Sequence, residues 1–538
     1  MRDFDFVVVG AGSAGCVLAE RLTASGRFSV LLLEAGGSDR RFFVQMPLGY
    51  GKTFFDPKVN WNFRAEPDPG LAGNADHWPR GKLLGGSSSI NAMVWVRGQR
   101  ADYDAWAAAG NTGWGYDDLL PFFKAIEHNE AGADDWRGQG GPVHVSDMAA
   151  RVHPLTRLYL EAAQSAGLPF NPDFNGAGQE GVGVYQITTR NGRRMSAARA
   201  FLRPAMRRPN LAVETGAHAT RILFEGGRAV GVDYLQGGKR RTARARRELI
   251  LSAGAIGSPQ LLELSGIGDP ALIGAHGIAV VHANPHVGAH LQDHQGINYT
   301  WKAKVPTLNQ LLRPWWGKAL AGSRYLALRS GPLSMSMNQG GGFFRTDPGR
   351  DRPNMQLYFQ AFSTVLPKPG ERPILSPDPW PGFSIGLSNC RPTSRGAIHV
   401  RSADPLQAPR IVANAFSTDH DVAEMLAAVK FLRVIAAQPA LAQVISEEIL
   451  PGPACIEDAA LIDDFRRRSG TVYHPVSTCR MGPDPAAAVV DPRLRVHGVS
   501  GLRVVDASVF PSVISGNTNA AAIVAGAKGA AMVLEDAG

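Results

Sequence analysis

A glycine-rich run near the N-terminus constrains the fold of this chain more than any other feature of its sequence. Residues 10–15 read Gly-Ala-Gly-Ser-Ala-Gly and directly follow residues 4–9, an apolar run with the length of a short buried strand. The next residues, 16–24, are predicted to form a helix, and a second apolar strand at 29–33 leads into Glu34. This order of strand, glycine turn, helix, strand and acid predicts a βαβ unit that binds a dinucleotide.

Each part of this unit has a physical role toward such a ligand. Gly10 permits a sharp turn, Gly12 lets the backbone approach a pyrophosphate, and Gly15 lets the helix and the first strand pack closely. The helix N-terminus supplies N–H donors without intrahelical partners and a partial positive charge for the phosphates. Glu34 can accept hydrogen bonds from the ribose hydroxyls of the adenosine. The motif itself is equally compatible with FAD and with NAD.

Two further glycine-rich segments follow. Residues 80–94 contain paired glycines and three consecutive serines before an apolar stretch. Such a turn predicts backbone laid against a planar or phosphate ligand, because its N–H groups form an anion-binding concavity. The alternative is a serine-capped helix start. Residues 254–268 come after an apolar strand at 248–252, and Ser258 is predicted to cap a helix whose first residue is Pro259.

Composition limits the class of protein. Hydrophobic residues make up 44% and charged residues 19% of the 538 residues, which excludes a disordered or fibrous chain. The net charge is +9, and six of the cations lie in residues 239–247. A nucleic-acid binder would need a broader basic face. We therefore interpret this stretch as a solvated hairpin and predict no nucleic-acid partner.

The four cysteines, Cys16, Cys390, Cys455 and Cys479, are scattered along the chain. They show neither a disulfide framework nor metal-ligand spacing, so we predict no metal site and favour a reducing compartment. The N-terminus lacks the shape of a signal peptide, and no apolar run reaches about 18 residues. We therefore expect a cytoplasmic protein of bacterial type with no membrane span.

The sequence resembles, over essentially its whole length, the glucose-methanol-choline family of FAD oxidoreductases. The two long signatures of the family are recognisable at residues 81–98 and 254–268. Two C-terminal stretches, Tyr-His-Pro-Val-Ser-Thr-Cys-Arg-Met-Gly at 473–482 and Gly-Asn-Thr-Asn-Ala at 516–520, are similar to the active-site stretches of the family. The resemblance implies that the dinucleotide is FAD rather than NAD.

Within the family the chain is similar, at residues 171–176 and 190–194, to the branch of choline dehydrogenase-like and L-sorbose dehydrogenase-like bacterial alcohol dehydrogenases. Two positions depart from the family pattern. Ile90 stands where some members attach FAD through a histidine, so we expect FAD to be held non-covalently. His290 precedes Leu-Gln-Asp-His where members often have asparagine, and its role does not follow from the sequence.

The resemblance also implies which residues contact FAD. Asn91, Ala92 and Val94 would lie near the isoalloxazine ring, Ala219 at the adenine end, 506–507 at the pyrophosphate and ribityl chain, and 518–519 at the pyrimidine edge of the flavin. The complete predicted set is Gly10, Gly12, Ser13, Ala14, Gly15, Glu34, Ala35, Arg80, Gly81, Leu84, Gly85, Gly86, Ser87, Asn91, Ala92, Met93, Val94, Ala219, Ser252, Ala253, Gly254, Asp506, Ala507, Thr518 and Asn519.

Oxidation of an alcohol needs a hydride acceptor, which is N5 of FAD, and a group that takes the hydroxyl proton. An imidazole suits the second role because it titrates near the working pH. Among the 14 histidines, the resemblance assigns the role of general base to His474. Asn517 stands where the family has a second histidine or an asparagine, and its amide can donate to the substrate oxygen as negative charge develops. Because asparagine cannot take up the proton, that role falls on His474 alone.

The cofactor motifs return the chain to one nucleotide-binding unit several times, so we predict an α/β protein with two discontinuous domains. A Rossmann-like FAD-binding domain would comprise residues 1–155, 191–296 and 464–538, the last with the active-site histidine and asparagine. A substrate-binding domain of α+β type, made of a sheet and helices, would comprise residues 156–190 and 297–463.

Residues 308–333 combine leucines and aromatic residues, including Trp315 and Trp316, with four cations and no acid. Such a segment can rest on an anionic membrane surface. That would suit a dehydrogenase that lies peripherally on the inner membrane and passes electrons to a membrane quinone. The alternative is a helix or lid over the substrate channel, whose cations extend to the solvent.

Choline as substrate would require an aromatic cage around its trimethylammonium group, and usually a carboxylate. Aromatic residues are available at Phe343, Phe344, Tyr358 and Phe359, but the sequence places no carboxylate beside them. We therefore favour a neutral primary alcohol or polyol, with a non-oxygen electron acceptor such as a quinone, a cytochrome or an artificial dye. The alternatives are an oxidase that uses oxygen, a redox-silent lyase and a non-catalytic flavin-binding module.

Overall fold

Two seven-stranded sheets organise the computed structural model, which describes residues 2–365 and 376–538. Their strands, in chain order, are β1 (Arg2–Val9), β2 (Val30–Glu34), β3 (Gly181–Val184), β4 (Leu211–Thr215), β5 (Ala217–Glu225), β6 (Arg228–Gln236), β7 (Lys239–Leu251), β8 (Gln295–Ala303), β9 (Gly340–Phe344), β10 (Met355–Gln360), β11 (Gly382–Asn389), β12 (Ile445–Leu450), β13 (Gly470–Thr471) and β14 (Leu502–Val504).

The helices of nine or more residues are α1 (Ser13–Thr23), α2 (Arg100–Ala108), α3 (Tyr116–Ile126), α4 (Pro154–Ser165), α5 (Gly254–Leu264), α6 (Trp315–Leu328), α7 (Asp419–Ala436), α8 (Asp458–Arg468) and α9 (Asn519–Ala537). Shorter α-helical segments are Phe42–Gln45, Tyr50–Thr53, Arg203–Ala205, Pro270–Gly274, Leu308–Leu312 and Pro439–Ala442. Short paired strands are Phe63–Arg64 with His77–Trp78, Glu127–Asn129 with Val143–Val145, Thr189–Arg190 with Arg193–Arg194, Ile267–Gly268 with His282–Ala283, and Ala397–His399 with Arg410–Val412.

The first sheet is parallel at its centre. Its strand order is β4-β2-β1-β7-β6-β5, and β14 also pairs with β7. Strands β4, β2, β1, β7 and β14 run parallel, whereas β6 and β5 form an antiparallel extension. All five residues of β2 are buried, as expected of a strand in a parallel sheet covered on both faces. The unit β1-α1-β2 confirms the predicted fingerprint, with α1 beginning at Ser13 rather than at residue 16.

The second sheet is antiparallel, with the order β12-β8-β11-β10-β9-β3 and with β13 paired to β8. Successive residues of its strands point to opposite faces, as the pleat requires. Along β10, Leu357 and Phe359 pack into a core that includes residues of α4 and α7, whereas Tyr358 and Gln360 line a large cavity. This arrangement confirms the predicted combination of a sheet with helices in the second part of the molecule.

Helix α5 begins before Ser258, so Ser258 and Pro259 lie inside it rather than at its start. Proline has no N–H to donate to the carbonyl four residues earlier. That carbonyl belongs to Ala255 and accepts a hydrogen bond from Thr478 Oγ1 instead, at 2.7 Å. The Ser258 hydroxyl donates to Asp506 at 2.6 Å. The predicted serine cap was therefore wrong, because tertiary partners let the helix continue through the proline.

The basic stretch at residues 239–247 lies in β7 and forms an antiparallel hairpin with β6. Three of its arginines form ion pairs with acids of the same surface: Arg240 with Asp233, Arg244 with Glu225, and Arg246 with Asp5. These pairs neutralise much of the local charge, and the interpretation as a solvated hairpin is confirmed.

The two sheets share the chain in alternation, and the exact domain boundaries stay predictions. The first sheet takes its strands from residues 2–34, 211–251 and 502–504. Strand β13 lies in the stretch predicted for the FAD-binding domain, yet it pairs with β8 of the second sheet. Two loop residues separate His474 from the end of β13. The pairing of β13 therefore holds this histidine where the two sheets meet.

We predict that Gly15→Ala destabilises the fold and that Gly322→Ala does not. A Cβ on Gly15 would lie 1.9 Å from the Gly10 carbonyl oxygen, and backbone cannot rotate away as a side chain can. The expected cost is at the upper end for overpacking, about 3 kcal/mol. A Cβ on Gly322, inside α6, would meet no atom within 4 Å, and alanine there should stabilise the helix by about 0.5–1 kcal/mol.

Thermal and denaturant unfolding of the two variants and the parent protein measure these differences. A Gly15→Ala variant that unfolds at the same midpoint as the parent would contradict the close approach of α1 to β1.

Candidate active site

A large cavity of about 690 Å³ lies between the two sheets. Gly10, Gly12 and Glu34 line one end of it, at the carboxyl edge of the parallel sheet. Ile297 and Tyr358, from the antiparallel sheet, line the other end. Cavities of this size are typical of sites for cofactors and small ligands, and the carboxyl edge of a parallel sheet is where such ligands bind.

Glu34 connects the turns that follow β1 and β2. Its Oε2 accepts a hydrogen bond from the Ala11 N–H at 3.0 Å and its Oε1 accepts one from the Gly36 N–H at 2.8 Å. Burial raises the pKa of Glu34 to about 7, against the effect of these two donors. Each oxygen keeps a further lone pair, and the side chain lines the cavity. An acceptor for ribose hydroxyls is therefore present at the predicted position.

Two helix N-termini meet beside these turns, α1 after Gly12 and α9 after Thr518. Neither has a side-chain cap, so their first N–H groups have no intrahelical partner. The Ser13 hydroxyl donates to Asn519 Oδ1 at 2.8 Å and joins the two helices. A Cβ on Gly86 would lie 2.7 Å from the Gly12 Cα, so the serine-rich turn lies directly against the glycine turn. Unpaired N–H groups and bare backbone suit the pyrophosphate of a dinucleotide.

At the other end of the cavity, a chain of hydrogen bonds orients the amide of Asn517. Its Oδ1 accepts a hydrogen bond from Gln356 Nε2 at 3.1 Å. Gln356 Oε1 accepts in turn from the Tyr358 hydroxyl at 2.8 Å. With its oxygen engaged in this way, Asn517 directs Nδ2 to His474 Nε2, at 3.2 Å. The amide nitrogen, a donor with two hydrogens, therefore faces the imidazole.

A second histidine selects the tautomer of His474. Nε2 of His294 donates to the Cys390 carbonyl oxygen at 3.0 Å, and burial lowers the pKa of His294 to about 4. His294 is therefore neutral, with its single proton on Nε2 and a lone pair on Nδ1. Its Nδ1 lies 3.0 Å from His474 Nδ1, so His474 donates from Nδ1. This leaves a lone pair on His474 Nε2, the nitrogen beside Asn517.

Burial above all, then His294 and Arg80, holds the pKa of His474 well below its ordinary value. The imidazole is therefore neutral and can accept a proton at neutral pH. Its backbone is held as well: the His474 N–H donates to Asp293 Oδ1 at 2.8 Å, and the Thr471 hydroxyl donates to the other oxygen of Asp293. The Arg80 guanidinium donates to the Tyr473 carbonyl at 2.5 Å.

Asp293, His294 and Gln356 were not among the predicted site residues. The first two belong to the Leu-Gln-Asp-His stretch that follows His290. That stretch was the signal available in the sequence. Gln356 carries no such signal, because a glutamine in an otherwise apolar strand is visible as functional only when its face of the sheet is known.

Most of the predicted site residues line the cavity. They are Gly10, Gly12, Ser13, Ala14, Glu34, Ala35, Arg80, Gly81, Gly86, Ser87, Asn91, Ala92, Met93, Val94, Ala219, Ser252, Ala253, Gly254, His474, Asp506, Ala507, Asn517, Thr518 and Asn519. The serine-rich turn among them is a short 3₁₀ helix, Gly86–Ser89, without a side-chain cap. It therefore fits the prediction of backbone laid against a ligand rather than the alternative of a serine-capped helix start.

Three residues of the predicted set, Gly15, Leu84 and Gly85, do not line the cavity. Gly15 packs against the preceding turn. The Gly85 N–H donates to the Ala11 carbonyl at 2.7 Å, and the Leu84 N–H donates to the Gly37 carbonyl at 3.0 Å. These residues therefore pack against the turns and do not face the cavity.

His290 also lies away from the cavity. Its ring stacks on His286, with ring centroids 5.4 Å apart and a hydrogen bond of 3.1 Å between His286 Nδ1 and His290 Nε2. Its backbone is in the left-handed region, with φ of 62°, a conformation that asparagine adopts more readily than most residues. The position therefore demands a particular backbone conformation rather than contact with a ligand.

Of the four aromatic residues that the sequence made available for a cation cage, Tyr358 alone lines the cavity. Phe344 and Phe359 point to the packed face of the sheet. Phe343 lies on the other face and is buried in a cluster with Phe174 and Tyr185. The aromatic lining beside the second sheet comes instead from Tyr50, Phe54 and Tyr473.

We predict that His474 is neutral at pH 6.5 and carries its proton on Nδ1. Its lowered pKa keeps the imidazole neutral as the pH falls, whereas an unperturbed histidine would be half protonated there. Nitrogen NMR of histidine-labelled protein distinguishes the two tautomers and the cation. In His294→Phe the acceptor for the Nδ1 proton is lost, and the proton should redistribute between the two nitrogens.

His290→Phe is the matched control and should leave the His474 signals unchanged. A cationic His474 at pH 6.5, or a proton on Nε2 in the parent protein, would refute the arrangement.

The chain is similar to known proteins both in sequence and in structure. Models of the family described as GMC oxidoreductase match residues 4–296 and 392–526. The alcohol dehydrogenase [acceptor] of Pseudomonas putida is 43% identical over 525 residues, which cover 97% of this chain and 94% of the relative. The oxygen-dependent choline dehydrogenase of Photobacterium profundum is 41% identical over 536 residues, 99% of this chain and 93% of the relative. Pyridoxine 4-oxidase from Mesorbium loti has a similar structure, with a TM-score of 0.88 and 31% identity over 98% of both chains.

Proposed function

The chain belongs to the GMC oxidoreductase family and is an FAD-dependent oxidoreductase of alcohols, and from this premise we propose that it oxidises a neutral primary alcohol or polyol to the carbonyl compound with His474 as the general base. The observation that carries the proposal is the unprotonated Nε2 of His474 beside the Asn517 amide, in a cavity whose far end is a dinucleotide cradle. The same cavity thus accommodates a proton acceptor, a hydrogen-bond donor and a cofactor.

The residues of the cavity fit FAD. The unpaired N–H groups at the starts of α1 and α9 would hold the pyrophosphate, and Glu34 would accept from the ribose. Ile90 lines the cavity at the position where a covalent link would need a nucleophilic side chain. An aliphatic side chain forms no such bond, which supports non-covalent binding of FAD.

The chemistry divides between the cofactor and the side chains. FAD, when bound, supplies the acceptor for the hydride that leaves the carbinol carbon. His474 Nε2 takes the hydroxyl proton, and its Nδ1–H remains bonded to His294 throughout. Asn517 Nδ2 donates to the substrate oxygen while that oxygen carries partial negative charge. Burial makes both interactions stronger than they would be in water.

The lining of the substrate end favours a neutral alcohol over choline. Asn298, Asn338 and Gln360 bring amide groups to the cavity, and Arg468, which also lines it, forms an ion pair with Asp464 at 2.6 Å. Amide groups can form hydrogen bonds with the hydroxyl groups of a neutral alcohol. The carboxyl group of Asp76 also lines the cavity, but it accepts hydrogen bonds from the Thr471 and His77 N–H groups, and burial raises its pKa to about 6.

The proposed electron acceptor is not oxygen but a quinone, a cytochrome or an artificial dye, as the name of the Pseudomonas putida relative suggests. An oxidase is the alternative, and the likeness to pyridoxine 4-oxidase favours it.

No helix in the described part of the chain is long and apolar enough to cross a membrane. We propose a cytoplasmic enzyme that touches the inner membrane peripherally through residues 308–333. None of these residues lines the cavity, as far as the structure describes its walls, which disfavours a lid.

We predict that His474→Ala retains FAD but slows anaerobic reduction of the flavin by alcohol about 10²- to 10⁴-fold, the usual contribution of a positioned base. Stopped-flow absorbance of the purified holoenzyme measures the rate. His290→Ala, a histidine outside the cavity, is the control and should reduce at the parental rate. An unchanged rate in His474→Ala would remove this residue from the reaction.

We predict that neutral primary alcohols and polyols bleach the flavin faster than choline at equal concentration under anaerobic conditions, because amide groups line the substrate end and the Asp76 carboxyl is already hydrogen-bonded. Admission of air then tests the acceptor: slow return of the flavin colour supports a dehydrogenase, and rapid return identifies an oxidase. Faster bleaching by choline would overturn the proposed substrate class. Absence of bleaching with every alcohol would overturn the proposed reaction and favour a lyase or a binding protein.

A further inference from the structure

We propose that the surface formed by α6 and the neighbouring segment at residues 40–45 is a docking surface for an anionic phospholipid membrane, and that an arginine-lined cavity within it binds the lipid phosphate. The inference deepens the proposed peripheral contact and rests on the proposed function only for its purpose, the exchange of electrons at a membrane. Its physical basis is independent of the reaction.

The first observation is the orientation of α6. Its buried residues, Gly317, Ala321 and Tyr325, are spaced four apart and define the face that packs on the protein. Large apolar side chains that are more than half exposed occupy the opposite side: Trp315, Trp316, Leu320 and Leu326. Trp315 is 81% exposed. A helix on a water-facing surface normally shows polar residues there, whereas a helix that lies in a membrane interface shows apolar ones.

The apolar surface continues beyond the helix. Phe42 and Phe43 are 50% and 46% exposed, and the Phe42 ring makes an edge contact with Tyr325, with centroids 6.2 Å apart. Two exposed aromatic side chains from a separate segment therefore lie beside the packed face of α6, next to Tyr325. An apolar patch made of such exposed side chains marks an interaction site more often than a surface exposed only to water.

The second observation is a cavity of about 350 Å³ beside this patch. Its cationic lining consists of Arg40, Arg41, Arg193, Arg203 and Arg329. Among the described residues, Arg203 alone of these five forms an ion pair, with the buried Asp39 at 2.8 Å. Within residues 2–365 and 376–538, therefore, four of the guanidinium groups around the cavity have no carboxylate partner.

The lowered pKa of a neighbouring arginine shows that these cations repel one another. Burial first, then Arg193 and Arg203, lowers the pKa of the adjacent Arg199. The Arg329 guanidinium lies 4.9 Å over the Tyr325 ring, which orients its planar group beside the cavity. An oxyanion with several acceptor oxygens, such as a phosphate diester, would relieve the repulsion and match the fork geometry of arginine.

The exposed apolar side chains and the arginine-lined cavity together indicate what this surface binds. Cations flank the exposed tryptophans of α6, at Arg313, Lys318 and Arg324, and residues 308–333 contain no acid. A second copy of the chain would bring the same positive surface against itself, and like charges would repel. A membrane that contains anionic lipids offers apolar chains for the tryptophans and phosphate groups for the arginines.

The position of the surface relative to the active site is consistent with electron exchange at the membrane. After α6 the chain passes through a short helical turn, Pro332–Ser334, to Met337 and Asn338. These two residues line the large cavity. A docked molecule would therefore have the substrate end of its active site close to the lipid surface.

Co-sedimentation of the holoenzyme with vesicles tests the proposal. Vesicles of phosphatidylcholine alone are compared with vesicles that also contain phosphatidylglycerol. We expect binding to the anionic vesicles and a loss of binding as salt is added, because salt screens the arginines. Arg41→Gln combined with Arg193→Gln should weaken binding about twenty-five-fold, since each arginine near an anionic surface contributes a factor of about five.

Two further variants separate the contributions. Lys239→Gln combined with Arg241→Gln removes two charges from the hairpin outside the cavity and should change binding less than twofold. Trp315→Ser combined with Trp316→Ser should weaken binding to the anionic vesicles while leaving the cavity intact. Flavin content and alcohol-dependent bleaching in solution should stay at the parental level in all three, which shows that the fold and the proposed reaction are intact.

Three other outcomes would contradict the proposal. Equal weakening by the cavity pair and the hairpin pair would show that net charge alone is responsible. Protection of the parent protein against heat by inorganic phosphate, without binding to vesicles, would assign the cavity to a free anion. A dimer that dissociates in the tryptophan variant would assign the surface to a second copy. Loss of bleaching with vesicle binding intact would overturn the proposed function and leave this inference standing.

Discussion

The carboxyl edge of the first sheet can receive a dinucleotide because three stretches of backbone approach one another there without side chains between them. Alanine at Gly15 would place its Cβ 1.9 Å from the Gly10 carbonyl, and alanine at Gly86 would place its Cβ 2.7 Å from the Gly12 Cα. These contacts bring α1, the glycine turn and the serine-rich turn together around one concavity. The position of α9, whose first residue accepts a hydrogen bond from Ser13, depends on the same approach.

The catalytic end depends on the opposite condition, a densely connected set of polar side chains. Burial makes an isolated polar group costly, and the side chains of His294, His474, Asn517 and Gln356 are linked by hydrogen bonds. His294 binds a backbone carbonyl and thereby fixes the proton of His474, while Gln356 fixes the amide of Asn517. The outcome is an unprotonated His474 Nε2 directly beside the amide donor of Asn517. Such preorganisation is the usual source of electrostatic stabilisation in enzymes.

Prediction from the sequence succeeded where a local pattern of residues determines the local structure. The glycine fingerprint, the acid at the end of β2 and the basic hairpin could be read directly, because the period of apolar residues and the turn chemistry are local properties. It failed where contacts between residues far apart in the sequence determine the local structure. Thr478 and Asp506 carry α5 through Pro259, and neither is near the helix in sequence. The predicted contacts of FAD with individual residues stay predictions.

The sequence by itself determined the nucleotide-binding unit, since its motif of glycine turn, helix and acid has few physical alternatives. The choice of His474 as the proposed base came from the family resemblance of residues 473–482. Only the tertiary structure decided which nitrogen of His474 is free, which face of β10 meets the cavity and which side of α6 meets the solvent. Each of these depends on contacts between segments far apart in the chain. A sequence pattern shows that a face exists, but packing against other elements chooses what that face touches.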